Sequence, residues 1–229
     1  MCQNLRGGHA MCGRAKLSVS DKELRELFQL DEIPLINPRF NIAPSQDLAV
    51  IREPRRLELL HWGLSNVGRA RGINVRAETV ARAPQYRDSL RSRRCLVVVD
   101  GFYEWQHRNA RKQPFLVRRA DGKAFALAGI WDRDAEGEPT CAVITGQAQG
   151  VVADLHDRMP VVIPPTAYGR WLDPDERKPI DLLRPDASEL VSYPVSTLVN
   201  SPANDDPRCI EPVSEEALQQ LPLPGAGRD

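Results

Sequence analysis

Short apolar segments, each cut off by turn residues, constrain this chain more than any other feature. Residues 48–51, 57–62, 95–99, 115–117, 125–130 and 141–144 are strand-length and rich in Val, Ile, Leu and aromatics. Helical signals are brief by comparison. Ser20-Asp21-Lys22-Glu23 reads as a capping box, opening a helix whose apolar face is Leu24, Leu27, Phe28 and Leu30. Pro34 and Pro38 close that region. Residues 151–158 read as a short helix that Pro160 ends before an apolar 161–163, and 166–172 and 215–221 as two more. Many strands with few helices cannot supply the crossovers of a parallel sheet, so the pattern predicts a mainly antiparallel α+β domain. No linker long enough to separate a pair of domains appears, and no internal repeat. Residues 1–10 are polar and Gly-rich and are expected to be a disordered leader. The tail Leu221-Pro222-Leu223-Pro224-Gly225-Ala226-Gly227-Arg228-Asp229 is expected to be disordered as well.

The 229 residues carry 31 Lys+Arg against 31 Asp+Glu, but the balance is a cancellation. Residues 1–120 hold 22 basic and 12 acidic side chains, and residues 121–229 hold 9 and 19. Such asymmetry points either to a polyanion partner for the basic half or to two halves that meet. No apolar run approaches the roughly 18 residues that span a bilayer, and the first ten residues lack the apolar core of a secretion signal. The 5 cysteines are odd in number, widely spaced and without a C-x-x-C pair, so neither a disulfide framework nor a zinc site is read from them. The expectation is a reduced, cytoplasmic protein with no metal, no organic cofactor and no membrane association.

Four places carry chemistry. A chain starting at Met11 would lose that Met and expose Cys12 as its first residue, with an α-amine and a thiol on adjacent carbons. The amine (ordinary pKa about 8) attacks an aldehyde, and the thiol closes on the imine to a thiazolidine with the advantage of an intramolecular step. The alternative is a buried, inert cysteine. Gly101-Phe102-Tyr103-Glu104-Trp105 sets one carboxylate among aromatics, which would desolvate Glu104 and raise its pKa as a general acid–base requires. Otherwise Glu104 is a surface carboxylate at a strand end. Leu155-His156-Asp157-Arg158-Met159-Pro160 groups an imidazole, a carboxylate and a guanidinium at a helix-to-strand junction, where a lone His is also commonly structural. Ile73-Asn74-Val75-Arg76-Ala77-Glu78-Thr79, if extended, puts Asn74, Arg76 and Glu78 on one face.

Taken in order, the blocks Cys12-Gly13-Arg14, Arg39-Phe40-Asn41-Ile42-Ala43-Pro44, Trp62-Gly63-Leu64, Asn74 to Thr79, Arg94 to Trp105 and His156-Asp157-Arg158-Met159-Pro160 closely resemble the SOS response-associated peptidase family of abasic-site processing (HMCES-like) proteins. The resemblance runs from Cys12 to about Val213 and implies a single α+β domain over 11–214 with a barrel-like, mostly antiparallel core flanked by short helices. It implies that Cys12 crosslinks the ring-opened aldehyde of an abasic site in single-stranded DNA, shielding the lesion. Asn74 would position the amine, Glu104 shuttle protons, and His156 assist ring opening and reversal. Arg14, Arg76, Asn41 and Arg158, inside the matching blocks, would contact DNA. The protein is expected to act as a monomer near the nucleoid.

Two departures stand out. Ten residues precede Met11, so either translation starts at Met11, or a leader is removed by proteolysis, or Cys2 substitutes. After Trp62-Gly63-Leu64 the family's Pro and Trp give way to Ser65-Asn66-Val67-Gly68-Arg69, leaving Arg69 or Arg71 to stack on a base in their place. Of eleven Arg from Arg52 to Arg94, against four acids, several are expected to line a groove for the strand. Competing readings are a thiol-dependent (auto)peptidase using Cys12, His156 and Glu104, and a noncovalent single-strand binder.

Overall fold

The apolar runs fold as strands, and five of them close into a ring. The computed structural model describes residues 12–65, 72–108 and 111–214. The expected leader, the 215–221 helix, the tail, Arg69 and Arg71 lie outside these. The strands are β1 (Ala15–Leu17), β2 (Arg39–Ile42), β3 (Asp47–Ile51), β4 (Glu58–Trp62), β5 (Asn74–Arg76), β6 (Arg94–Val99) and β7 (Gly101–Arg108). Then come β8 (Arg111–Arg119), β9 (Phe125–Arg133), β10 (Pro139–Gln147), β11 (Arg158–Pro160), β12 (Val162–Ile163) and β13 (Leu190–Pro194). The helices are α1 (Asp21–Phe28), α2 (Ala77–Val80), α3 (Pro84–Ser92), α4 (Gly150–Ala153) and α5 (Tyr168–Leu172).

The ring runs β10–β4–β3–β6–β9 and back to β10. Its pairs are antiparallel except β10–β4, where Thr140 meets His61 and Cys141 meets Trp62 in parallel. Closure removes the open edges that a flat sheet would expose. All six residues of β6 are buried, because α3, α5 and β1 cover the side facing away from the ring. That double burial is why its sequence is an unbroken apolar run after Arg94. Gly129 of β9 sits where a Cβ would come within 2.8 Å of Cys95 Sγ and 2.9 Å of Val97 Cγ2, so a larger residue would force the ring apart. A second, antiparallel sheet in the order β13-β8-β7-β1-β2 packs against the ring. Together they form one mixed α+β domain around a barrel. Among the described residues no helix is long and apolar enough to cross a membrane.

Helix α1 forms as expected. Ser20 Oγ accepts from Glu23 N at 3.3 Å, and Gln29 ends the helix in the left-handed region at φ 52°. Two local expectations need correction. The helix foreseen over 151–158 is only the single turn α4, because Arg158–Pro160 is captured by β10, with Gly146 opposite Met159 and Thr145 opposite Pro160. Strand pairing here overrides local helix preference. The stretch from Asn74 is extended only to Arg76, where it pairs with β10, and then turns into α2. Glu78 therefore leaves the face shared by Asn74 and Arg76.

Candidate active site

Cys12 leads into β1, and β1 pairs with β7 through Ala15 opposite Phe102. This register lays Cys12 over Glu104: the Cys12 backbone N–H donates to Glu104 Oε1 at 3.0 Å. Cys12 has φ 37°, a left-handed conformation that a side chain other than Gly adopts at a cost of about 1–3 kcal/mol. On the other side Asn74, the first residue of β5, sends its amide Nδ2 to the Cys12 carbonyl at 3.4 Å. Strand β5 is held by β10, and β10 also holds β11, which follows His156. Four separate elements thus converge.

Both chemical groups are deeply buried. Glu104 is 2% exposed, and burial pushes its carboxyl up to about 8, partly opposed by the Cys12 N–H and reinforced by the charge of Asp157. The direction is the one expected from sequence, but the surroundings differ. The pleat sends Tyr103 and Trp105 to the opposite face, where they pack with Leu116, Val195, Val199 and Cys209. Phe102 shares the Glu104 face by strand alternation, and Trp105 also borders the cleft that Glu104 lines. Burial, and then the charge of Glu104, raises the Cys12 thiol far above its usual range. Among the described residues Cys12 Sγ makes no hydrogen bond.

His156 reaches the same cleft, about 530 Å³, lined by Arg14, Glu104, Trp105, Leu155, His156 and Asn200 together with His107 and Lys112. Its Nδ1 accepts from the Arg158 backbone N–H at 3.0 Å and also lies 2.8 Å from Asp157 Oδ1. One nitrogen cannot accept from the first and donate to the second. The Asp157 side chain is 85% exposed, where an ion pair contributes little, so the backbone contact is the one that orients the ring and leaves Nε2 facing the cleft as the free nitrogen. A larger cavity of about 770 Å³, beside Phe28, Phe125, Ile163 and Tyr168, contains none of these groups.

The expected DNA contacts divide. Arg76 is exposed beside Asn74. Arg14 is committed within the protein: it donates to Asn41 Oδ1 at 2.7 Å, to the Asn200 carbonyl at 3.0 Å and to the Val199 carbonyl, and lies over the Trp105 ring. Arg158 grips Glu78 with both terminal nitrogens, at 2.5 and 2.9 Å, and the Thr145 carbonyl at 2.6 Å. Asn41 is corrected outright. It has no exposed surface, and its Nδ2 faces the carbonyls of Val199, Ser201 and Asn204 at 2.7–3.1 Å. It is a buried tie for the 197–205 segment, not a surface contact. Sequence reading missed Asn200, whose Oδ1 accepts from Trp105 Nε1 at 2.8 Å and which walls the cleft. Its polar surroundings in sequence look like any turn.

Fold and site together define a class: a single-domain barrel with a cysteine backbone nitrogen seated on a buried carboxylate, an amide on the cysteine carbonyl, and an imidazole in the same cleft. Residues 11–202 match the SOS response associated peptidase (SRAP) family, and the chain belongs to it. It is 36% identical over 223 residues to the Bacillus subtilis abasic site processing protein YoqW, covering 88% of this chain and 99% of that one. It is 30% identical to the Escherichia coli abasic site processing protein YedK, covering 89% and 100%. A solved protein from Bacteroides thetaiotaomicron shares the fold with a TM-score of 0.76 at 23% identity, covering 89% of this chain and 100% of that one.

Proposed function

We propose that this protein processes abasic sites in single-stranded DNA by capturing the lesion's aldehyde on Cys12 as a thiazolidine, which shields the strand. The carrying observation is the 3.0 Å contact between Cys12 N and a buried Glu104 whose carboxyl is pushed up to about 8. The names of the relatives point to the same substrate. In the 229-residue chain the Cys12 nitrogen is a peptide nitrogen; its N–H stands where an α-amine would be once Cys12 is the first residue.

A free α-amine titrates near 8, so amine and carboxyl have matched proton affinities and the proton passes between them at little cost. Glu104 relays the two amine protons to the aldehyde oxygen in turn, the first as the amine attacks to give the carbinolamine and the second as its hydroxyl leaves as water. The thiol sulfur adds to the imine carbon and its proton ends on the ring nitrogen, so one water is lost overall and Glu104 is regenerated. The raised thiol pKa makes the amine the first nucleophile. A cysteine peptidase needs the reverse, a thiolate stabilised by an imidazolium or other cation, and Glu104 disfavours it. Asn74 holds the Cys12 carbonyl, His156 offers Nε2–H to the sugar oxygen during opening and reversal, and Arg76 meets phosphate. The reading suits a monomer acting in the cytoplasm at the nucleoid.

The test is a chain begun at Met11, with Cys12 verified by mass as the first residue, mixed with a single strand bearing one abasic site. An adduct that survives hot detergent and weighs one water less than its components is expected. Cys12→Ala abolishes it, and Cys95→Ala or Cys141→Ala leaves it. No adduct from the verified protein overturns the reading.

A further inference from the structure

The structure sorts the arginine-rich window into two sets. Arg52 pairs with Glu58 at 2.5 Å, Arg55 with Asp31 at 2.5 Å, Arg56 with Glu32 at 3.3 Å and Arg93 with Asp132 at 3.0 Å. Arg94 is buried against the carbonyls of Leu90, Arg91, Trp171 and Asp173. By contrast, Arg76, Arg82, Arg87 and Arg91 are exposed, and among the described residues their side chains make no hydrogen bond or ion pair. We propose that these four, with Arg177, form a phosphate-binding track for single-stranded DNA flanking the lesion, leading away from the active site along α2 and α3. The proposal extends the abasic-site reading above and rests on it only for the identity of the strand.

Placement supports this choice of partner. Arg87 and Arg91 lie four residues apart on α3, hence on one helical face. They join Arg177 around a cleft of about 520 Å³ that also includes Ala81, Leu90, Pro179 and Ile180. Ala81 directly follows α2, and α2 directly follows the strand that carries Asn74 and Arg76. Seven residues therefore connect the site to the cleft, a contour of at most about 25 Å. Two acids border the cleft, Asp175 and Glu176, and Glu176 is already bound to Arg170 at 2.9 Å. Like charges at this helical spacing repel and gain nothing for the folded protein, whereas a polyanion relieves the repulsion. The exposed Ile180, with Pro179, adds an apolar patch beside planar guanidinium groups, a surface on which bases stack.

The experiment measures equilibrium binding of the full chain to an undamaged single strand of about 20 nucleotides across a salt series. Arg87→Gln with Arg91→Gln should lower the slope of log K against log salt by about 1.4 and weaken binding at 50 mM salt at least about tenfold. Gln supports a helix as Arg does, so α3 is retained. Arg87→Lys with Arg91→Lys should keep the wild-type slope, and Lys22→Gln on α1 should not change it. An unchanged slope in the double Gln variant overturns the track, as does an equal fall with Lys22→Gln, which would reduce the effect to bulk charge. Binding to undamaged DNA needs no covalent step, so failure of adduct formation and failure of the track are read separately.

Discussion

At the scale of single residues, Glu104 links the chemistry to stability. An ordinary glutamate ionises near 4.5, whereas this one is pushed up to about 8. Between those values the folded chain holds a proton that the unfolded chain has released, so stability falls as pH rises through that window. The loss from this one group is on the order of 3–5 kcal/mol. Glu104→Gln should therefore match the wild type near pH 4.5 and be clearly more stable at pH 8.5, as measured by urea unfolding at the two pH values. Parallel stability profiles for the two proteins would mean that Glu104 ionises normally. The sequence made this residue legible, because a carboxylate in an aromatic run implies desolvation. The aromatic setting is only partly the one expected: Tyr103 packs on the opposite face of the strand, whereas Trp105 lines the same cleft as Glu104. Cys12 and His156 were legible as candidates for the same local reason: their chemistry is intrinsic to the residue type. Arg14 and Arg158 were not, because whether a guanidinium meets a phosphate or a carbonyl depends on partners far along the chain, Val199 and Asn200 for one and Glu78 for the other.

At the scale of elements, all five strands of the ring were visible as apolar runs, most clearly β6, which is buried along its whole length and has no polar side to show after Arg94. Strands β1, β2, β5, β7, β11 and β13 were not among those runs. Arg39-Phe40-Asn41-Ile42 mixes charged, aromatic and amide side chains, and its extended form is set by Asp205, whose Oδ1 accepts from Phe40 N at 2.6 Å and Asn41 N at 2.9 Å. The same strand carries Asn41, which ties down the 197–205 segment and through it the Asn200 wall of the cleft. Asn41→Ala leaves buried carbonyls and the Arg14 guanidinium short of partners, and should destabilise the fold by about 2–4 kcal/mol. The salt slope for DNA binding should not move. A slope reduced by about 0.7 with stability intact would restore Asn41 as a phosphate contact.

At the scale of the whole molecule, the zero net charge conceals a basic first half and an acidic second half that cannot be separated. The ring takes β3, β4 and β6 from residues 1–120 and β9 and β10 from the remainder, so neither half can close a barrel alone. Strand β10 lies between β4 and β5 of the first half and its own neighbour β9, and it aligns Asn74 with the β11 segment beside His156. Trp171 of the acidic half donates through Nε1 to the Cys95 carbonyl of the basic half at 2.7 Å. The candidate site likewise draws Cys12, Asn74 and Glu104 from one half and His156 from the other. Unfolding should therefore be a single cooperative transition despite the charge asymmetry. Tryptophan fluorescence, which reports on Trp62, Trp105, Trp131 and Trp171 across both halves, and far-UV circular dichroism should give one shared urea midpoint at both low and high salt. Two separated midpoints, with the gap widening as salt is added, would mean that the halves are independent units held together by their opposite charges.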